Sequence, residues 1–230
     1  MGRKSKSLTI SKVSKVAAPK ALTPNQQALI EGIHKKEMVV ALGPAGTGKT
    51  FISAAFAAFF YDIGKSKKIV LTRPTIPTGK SIGFFPGDLD EKMEPWVRPF
   101  MEILEEHLTK GKVELMRKNG IIEVVPFEVI RGRTFNDAFV ILDEAQNCTA
   151  LEIKAFVTRH GDNCTTVING DISQSDLNGS GNGLELIVSM IKKSPKLLES
   201  VALAEFTSED IVRSGLCQIW VQEFEKLKGK

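Results

Sequence analysis

Eight residues do most to limit what this chain can fold into: Gly43-Pro44-Ala45-Gly46-Thr47-Gly48-Lys49-Thr50, of the form G-x-x-x-x-G-K-[ST]. Before them stands Met38-Val39-Val40-Ala41-Leu42, a short apolar run with the character of a buried parallel strand. After them the stretch from Lys49 to about Tyr61, rich in Ala and Phe, is apolar on most faces, as a helix buried against a sheet would be. The glycines let the backbone curl until consecutive N–H groups point inward. The first turn of the following helix adds partial positive charge. Strand, curled turn and helix together form a cradle for phosphate oxygens, and the residue types suit the parts. Lys49 reaches the β- and γ-phosphates of a nucleotide, and the Thr50 hydroxyl coordinates Mg²⁺.

A second run, Phe139-Val140-Ile141-Leu142-Asp143-Glu144, reads as a buried strand ending in two acids. Mg²⁺ prefers to keep several of its waters, so an acid at the end of such a strand can hold it through its water shell, and Asp143 takes that role. Glu144 is placed to orient and deprotonate an attacking water, the general-base task in phosphoryl transfer. The two acids would otherwise do no more than cap the helix that starts near Thr149. Further strands are expected at Lys68–Thr72, Ile121–Val125, Thr165–Ile168 and Val201–Ala204. Helical patterns fall at Gln26–Lys35 (Thr23 as N-cap, Pro24 in the first turn), Ala150–His160, Gly183–Lys192 and Ser208–Phe224. Alternation of this kind predicts an α/β fold, a parallel sheet flanked by helices on both faces. With the cradle it makes a P-loop NTPase, binding ATP with Mg²⁺ and hydrolysing it. Between Pro74 and Gly111 the plan is interrupted by an insertion carrying Phe84, Phe85, Trp96 and Phe100, with a helix-like Met101–Leu108.

The 230 residues, 42% hydrophobic and 25% charged, suit one globular domain. No apolar run reaches the length of a membrane span, and the basic N-terminus lacks a secretory apolar stretch. Met1-Gly2 is followed by Lys6 where a myristoylation signal wants Ser or Thr. Cys148, Cys164 and Cys217, scattered and odd in number, suggest neither a disulfide framework nor a zinc site and fit free thiols in a cytoplasmic protein. The net charge of +4 is concentrated at one end. Arg3, Lys4, Lys6, Lys12, Lys15 and Lys20 stand in the first 20 residues with no acid among them, which leaves residues 21–230 at −2. This tail, expected to be disordered, is either a solubilising arm or a nucleic-acid contact.

Several stretches then act as a set. Asp143-Glu144-Ala145-Gln146 resembles motif II of superfamily 1 helicases, and Asn169-Gly170-Asp171-Ile172-Ser173-Gln174 resembles their motif III. Leu22-Thr23-Pro24-Asn25-Gln26 looks like the upstream Q motif. From about Leu22 to Phe224 the chain resembles the PhoH-like ATPases, bacterial and bacteriophage proteins built on a single RecA-like helicase core. The matching stretches include Thr72-Arg73-Pro74, Gly83–Leu89, Arg131-Gly132-Arg133-Thr134, Thr158-Arg159, Asp176-Leu177 and Asp210-Ile211-Val212-Arg213. Phe85 departs from the family's usual Leu. The fused PIN nuclease domain of some members is not expected here, nor is cutting of RNA.

The resemblance implies that Gln26 reads the adenine edge and that Gln174 senses the γ-phosphate and couples hydrolysis to movement. Helicases of this superfamily place ATP between two cores, and here only one is expected. A neighbouring subunit is then expected to supply an arginine finger, Arg213 or Arg133, within a homo-oligomer, a hexamer being favoured. Arg73, Arg131 and Arg159 are further arginines near strand and helix ends; each is a catalytic group, a solvated charge or a structural ion pair. The insertion aromatics either stack unpaired bases or form a local core or subunit contact. Two functions stand out: an ATPase coupled to RNA or single-stranded nucleic acid, and a regulatory ATP-binding module that docks a partner such as a nuclease. A small-molecule kinase is disfavoured, because Glu144 beside Asp143 suits activation of water.

Overall fold

The computed structural model describes residues 16–74, 89–177, 181–212, 215–216, 219–220 and 223. Arg213, Phe84, Phe85, Cys217 and most of the basic tail lie outside the described residues. Six strands form one parallel sheet: β1 (Met38–Leu42), β2 (Lys68–Thr72), β3 (Ile122–Val124), β4 (Ala138–Leu142), β5 (Thr165–Gly170) and β6 (Val201–Glu205), in the spatial order β3-β2-β4-β5-β1-β6. The strand leading into the glycine turn and the strand ending in the acids are separated by β5 alone, as in a RecA-like sheet.

Side chains alternate along the strands and so build two cores. Val39, Ala41, Ile69, Leu71, Phe139 and Ile141 face one layer, made by α1 (Pro24–Lys35), α2 (Lys49–Asp62), α3 (Leu89–Leu108) and α4 (Lys110–Lys118). Val40, Leu42, Val70, Val140 and Leu142 face the other, where α5 (Ala150–Val157) and α6 (Gly183–Lys193) pack. Both faces are covered, which is why the strands read as continuous apolar runs. Helix α2 is buried almost all round, Ala54 through Ala58 having no exposed surface. Val16, at the edge of the basic tail, also packs into the first core.

The insertion departs from expectation. Helix α3 spans 20 residues, beginning well before Met101, and holds Pro95 and Pro99 within it. Two prolines in a helix argue against it on propensity. Packing overrides that cost here: Met93, Val97, Phe100, Met101, Leu104 and Leu108 are all buried. Phe100 is therefore core. Two short helices escaped the sequence reading. In α4 only Val113 and Met116 are buried, and α7 (Pro195–Ser200) buries no residue. The helix expected over Ser208–Phe224 does not begin at Ser208; Gly215, Leu216, Ile219, Trp220 and Glu223 are helical, and the residues between them lie outside the described ones. A 3-10 turn, Ser208–Asp210, is closed by a Thr207–Asp210 capping box, and Ile211 is extended.

At the sheet edge Glu123 of β3 accepts from Lys68 of β2 and from Arg133. Burial alone would raise the Glu123 carboxyl, but those two hydrogen bonds and charges outweigh it and hold the group below its ordinary value of 4.5. A depressed acid stabilises the fold above the unfolded value, and that contribution is lost as pH falls through the folded one. Glu123→Gln is accordingly expected to be less stable than the parent at pH 7, with the difference shrinking on acidification below about pH 4.5. Chemical denaturation of both proteins across pH 3–7 checks this.

Candidate nucleotide site

The register of the sheet determines which residues meet. Leu42 pairs with Gly170, Thr72 with Leu142, and Leu142 with Ile168. The chain leaving β1, β5, β4 and β2 therefore emerges on one edge, bringing Gly43, Asp171, Asp143 and Arg73 side by side. Ligands in open parallel sheets bind at these carboxyl ends.

The turn Gly43–Gly48 is built from inside and outside. Gly43 (φ 137°) donates to the Gly170 carbonyl at 3.1 Å, and a Cβ there would stand 2.5 Å from the Phe206 carbonyl oxygen. Only glycine suits that conformation and that approach. Gly46 and Gly48 also have positive φ, 85° and 86°. Gly48 caps α2 without any side-chain hydrogen bond, which leaves first-turn N–H groups open for an anion. Val212 donates to the Gly46 carbonyl at 3.0 Å, so the extended segment after the 3-10 turn buttresses the loop. Lys49 Nζ donates to the carbonyls of Gly43 and Pro44 at 2.7 and 2.8 Å, held across the turn. Burial pushes its ammonium below the ordinary lysine value, against the pull of Asp171, Asp143 and Glu144.

A cavity of about 440 Å³ opens over the loop, bounded by Gly46, Lys49, Thr50, Asp143, Glu144, Asp171 and Gln174 on one side and by Pro99 and Ile103 of α3 on the other. Thr50 Oγ1 lies 3.5 Å from Asp143 Oδ1. Two oxygens this close, one of them a carboxylate's, would suit a Mg²⁺ that keeps several of its waters. Asp143 is pushed up to about 6, first by burial and then by Glu144, with Arg73, Asn169 and Lys49 acting the other way. A dication would relieve that cost, which is a second sign that the residues suit it. Among the described residues no group of three or more His, Cys, Asp or Glu could hold a metal.

Glu144 has left-handed backbone, φ 55° and ψ 38°. For a residue other than glycine this conformation costs on the order of 1 kcal/mol and collects at functional sites. It turns the carboxylate into the cavity, where Gln146 Nε2 donates to Oε2. Gln146 Oε1 accepts from Asp171 N at 3.0 Å, tying the acid pair to the end of β5.

Of the expected site residues, Lys49, Thr50, Asp143, Glu144 and Gln174 share the cavity. Gln26 is buried beneath the loop, donating to Thr47 O at 3.0 Å and accepting from Leu22 N at 2.8 Å. One end of its amide steadies the turn and the other the chain leading into α1. Arg133 lies away from this cavity, paired with Glu123. Two more residues belong to the site, Asp171, which the sequence reading named within motif III without a role, and Arg73, for which it left three roles open. Asp171 is buried, with Oδ1 taken by Ser173 and Oδ2 lacking a hydrogen-bond partner. Arg73 faces Glu144, with Nη2 3.7 Å from Oε1. Each stands one residue past the end of a strand next to β4, a position that strand order would have disclosed and single motifs do not.

A family model described as "PhoH-like protein" matches residues 19–225. The chain belongs to the PhoH-like family. The PhoH-like protein of Bacillus subtilis (strain 168) is 38% identical over 218 residues, covering 94% of this chain and 67% of its own. That of Mycobacterium tuberculosis (strain ATCC 25618 / H37Rv) is 38% identical over 208 residues, 90% of this chain and 57% of its own. Protein PhoH of Escherichia coli (strain K12) is 42% identical over 192 residues, 82% and 53%. The chain thus spans between about half and two thirds of the length of these curated relatives. Among solved structures, the large terminase of a thermophilic bacteriophage is similar at TM-score 0.49 and 11% identity, over 86% of this chain and 48% of its own. Family and sheet topology give this PhoH-like chain the fold of a P-loop NTPase. Among the described residues no helix is long and apolar enough to cross a membrane.

Proposed function

We propose that this chain is an Mg²⁺-dependent ATPase whose turnover is coupled to RNA or single-stranded DNA. The observation that carries the hydrolytic part is the meeting of Lys49, Thr50, Asp143, Glu144 and Gln174 around one cavity. The loop N–H groups and Lys49 bind the β- and γ-phosphates. Thr50 and Asp143 would hold Mg²⁺, which would supply neutralisation of the charge on the phosphate oxygens. Glu144 orients a water and takes its proton as the water oxygen bonds to the γ-phosphorus and the bond to the ADP oxygen breaks. Gln174, exposed at the cavity rim, contacts the γ-phosphate, and Gln26 contributes to the adenine side through its grip on Thr47. An arginine from a neighbouring subunit, Arg213 or Arg133, completes the site in a ring, of which a hexamer is the favoured form. For Arg133 this requires exchange of its Glu123 partner.

Nucleic-acid coupling is supported by the Gly170–Gln174 segment, which ties the cavity to Gln146 and Glu144, and by the basic tail. The test is phosphate release from ATP·Mg²⁺ with and without single-stranded RNA or DNA. Stimulation supports the proposal; turnover indifferent to every oligonucleotide removes the coupling. One observation favours the second reading, a partner-docking ATP-binding module. Leu186 and Met190, one turn apart on α6, are 43% and 51% exposed, and a docked protein would cover such a pair.

A further inference from the structure

Arg73 follows β2 directly, and β2 is the neighbour of β4, so the arginine stands beside the acid pair by register. Asp143 N donates to Thr72 O at 3.0 Å, which fixes the two chain ends against each other. Two groups flank the guanidinium. Nη2 is 3.7 Å from Glu144 Oε1. The guanidinium carbon lies 4.9 Å from the ring centroid of Trp96 on α3. Nε is buried without a hydrogen-bond partner. A second, strongly polar cavity of about 520 Å³ adjoins the first and is bounded by Arg73, Glu144, Gln146 and Gln174.

Charge in this corner is unbalanced. Asp143, Glu144 and Asp171 crowd the end of the sheet, and Lys49 is turned across the glycine loop. Arg73 is the second cation facing them. The two oxygens of Glu144 are then held from different directions, Oε2 by Gln146 and Oε1 by Arg73. A hydrogen bond on one oxygen and a cation facing the other give a carboxylate on a strained backbone one defined direction. A planar guanidinium resting on an indole ring is well suited to the task, being always charged and stiff.

We propose that Arg73 is a positioning residue for hydrolysis: seated on Trp96, it aims the Glu144 carboxylate, and so makes α3 part of the catalytic support. This rests on the reading of Glu144 as general base. Arg73 acts through Glu144 and does not bind the nucleotide, so its loss separates turnover from affinity. Misplacement of a catalytic group by about 1 Å costs up to about 100-fold in rate. Arg73→Gln is therefore expected to lower kcat by between about 10- and 100-fold, with KM for ATP and the affinity for a fluorescent ATP analogue within about twofold of the parent. Arg73→Lys, which keeps the charge and loses the planar fork, is expected to fall between the two. In the Glu144→Gln background, Arg73→Gln is expected to cause no further loss, because the group it positions is already gone.

The measurement is steady-state phosphate release by the full chain, with analogue binding measured in parallel and folding followed by circular dichroism. If Arg73→Gln does not fold, Arg73→Lys carries the same comparison. An unchanged kcat, or a loss that appears equally in nucleotide affinity, overturns the proposal. If Glu144→Gln itself keeps parental turnover, the assignment of the base falls, and the role of Arg73 with it. An inactive Glu144→Gln beside a fully active Arg73→Gln defeats the positioning role alone.

Discussion

Glu144→Gln is expected to lower phosphate release by between about 100- and 10,000-fold, the range over which a positioned general base contributes. The substitution keeps the size and hydrogen-bonding reach of the side chain and removes its ability to take a proton. The left-handed backbone of Glu144 is set by the strand end and the 3-10 turn Ala145–Asn147, neither of which depends on the carboxylate. The cradle, Lys49 and the Thr50–Asp143 pair stay in place, so nucleotide affinity is expected to change little. Loss of turnover with binding retained identifies an interaction made in the transition state. Steady-state phosphate release and equilibrium binding of a fluorescent ATP analogue measure the two separately.

Phe60→Ala is expected to cost about 3–5 kcal/mol of folding stability, as large-to-small changes at fully buried aromatics do. Phe60 on α2 has no exposed surface. Its ring meets Phe139 of β4 edge-on, centroids 5.5 Å apart, and Phe56 at 5.8 Å. Lys65 Nζ also sits 3.7 Å from its centroid. The ring thus joins the helix that opens the glycine loop to the strand that ends in the acids. Against a total stability of about 5–15 kcal/mol, this single loss takes a third or more of the margin in most of that range. Urea denaturation gives the number directly. A cost below about 1 kcal/mol would contradict the packing described, since collapse of the cavity cannot recover that much.

The parts of the site carried by contiguous residues were legible in the sequence. The loop Gly43–Thr50 and the strand Phe139–Leu142 with its two acids each bear their chemistry in one run, and the alternation of apolar runs with helical patterns implied the parallel sheet. What stayed hidden depended on neighbours distant along the chain. Arg73 and Asp171, named in the sequence without a settled role, join the site only because β2 and β5 flank β4. Helix α3 was read short because Pro95 and Pro99 speak against a helix locally, and packing against α2 decides otherwise. The start of the helix expected from Ser208 was misread, because Thr207 and Asp210 make a capping box that closes on itself and Ile211 then runs extended. The α4 and α7 segments are too short and too polar for their spacing to be told from loop.

The central claim is that the cavity over Gly43–Thr50 turns over ATP with Mg²⁺ held by Thr50 and Asp143. Its most direct test is phosphate release by the purified protein supplied with ATP and Mg²⁺, then with excess EDTA, then with Mg²⁺ restored. Release that stops with the chelator and resumes with the ion is the predicted result. No release under any of the three conditions, or release indifferent to EDTA, would contradict it.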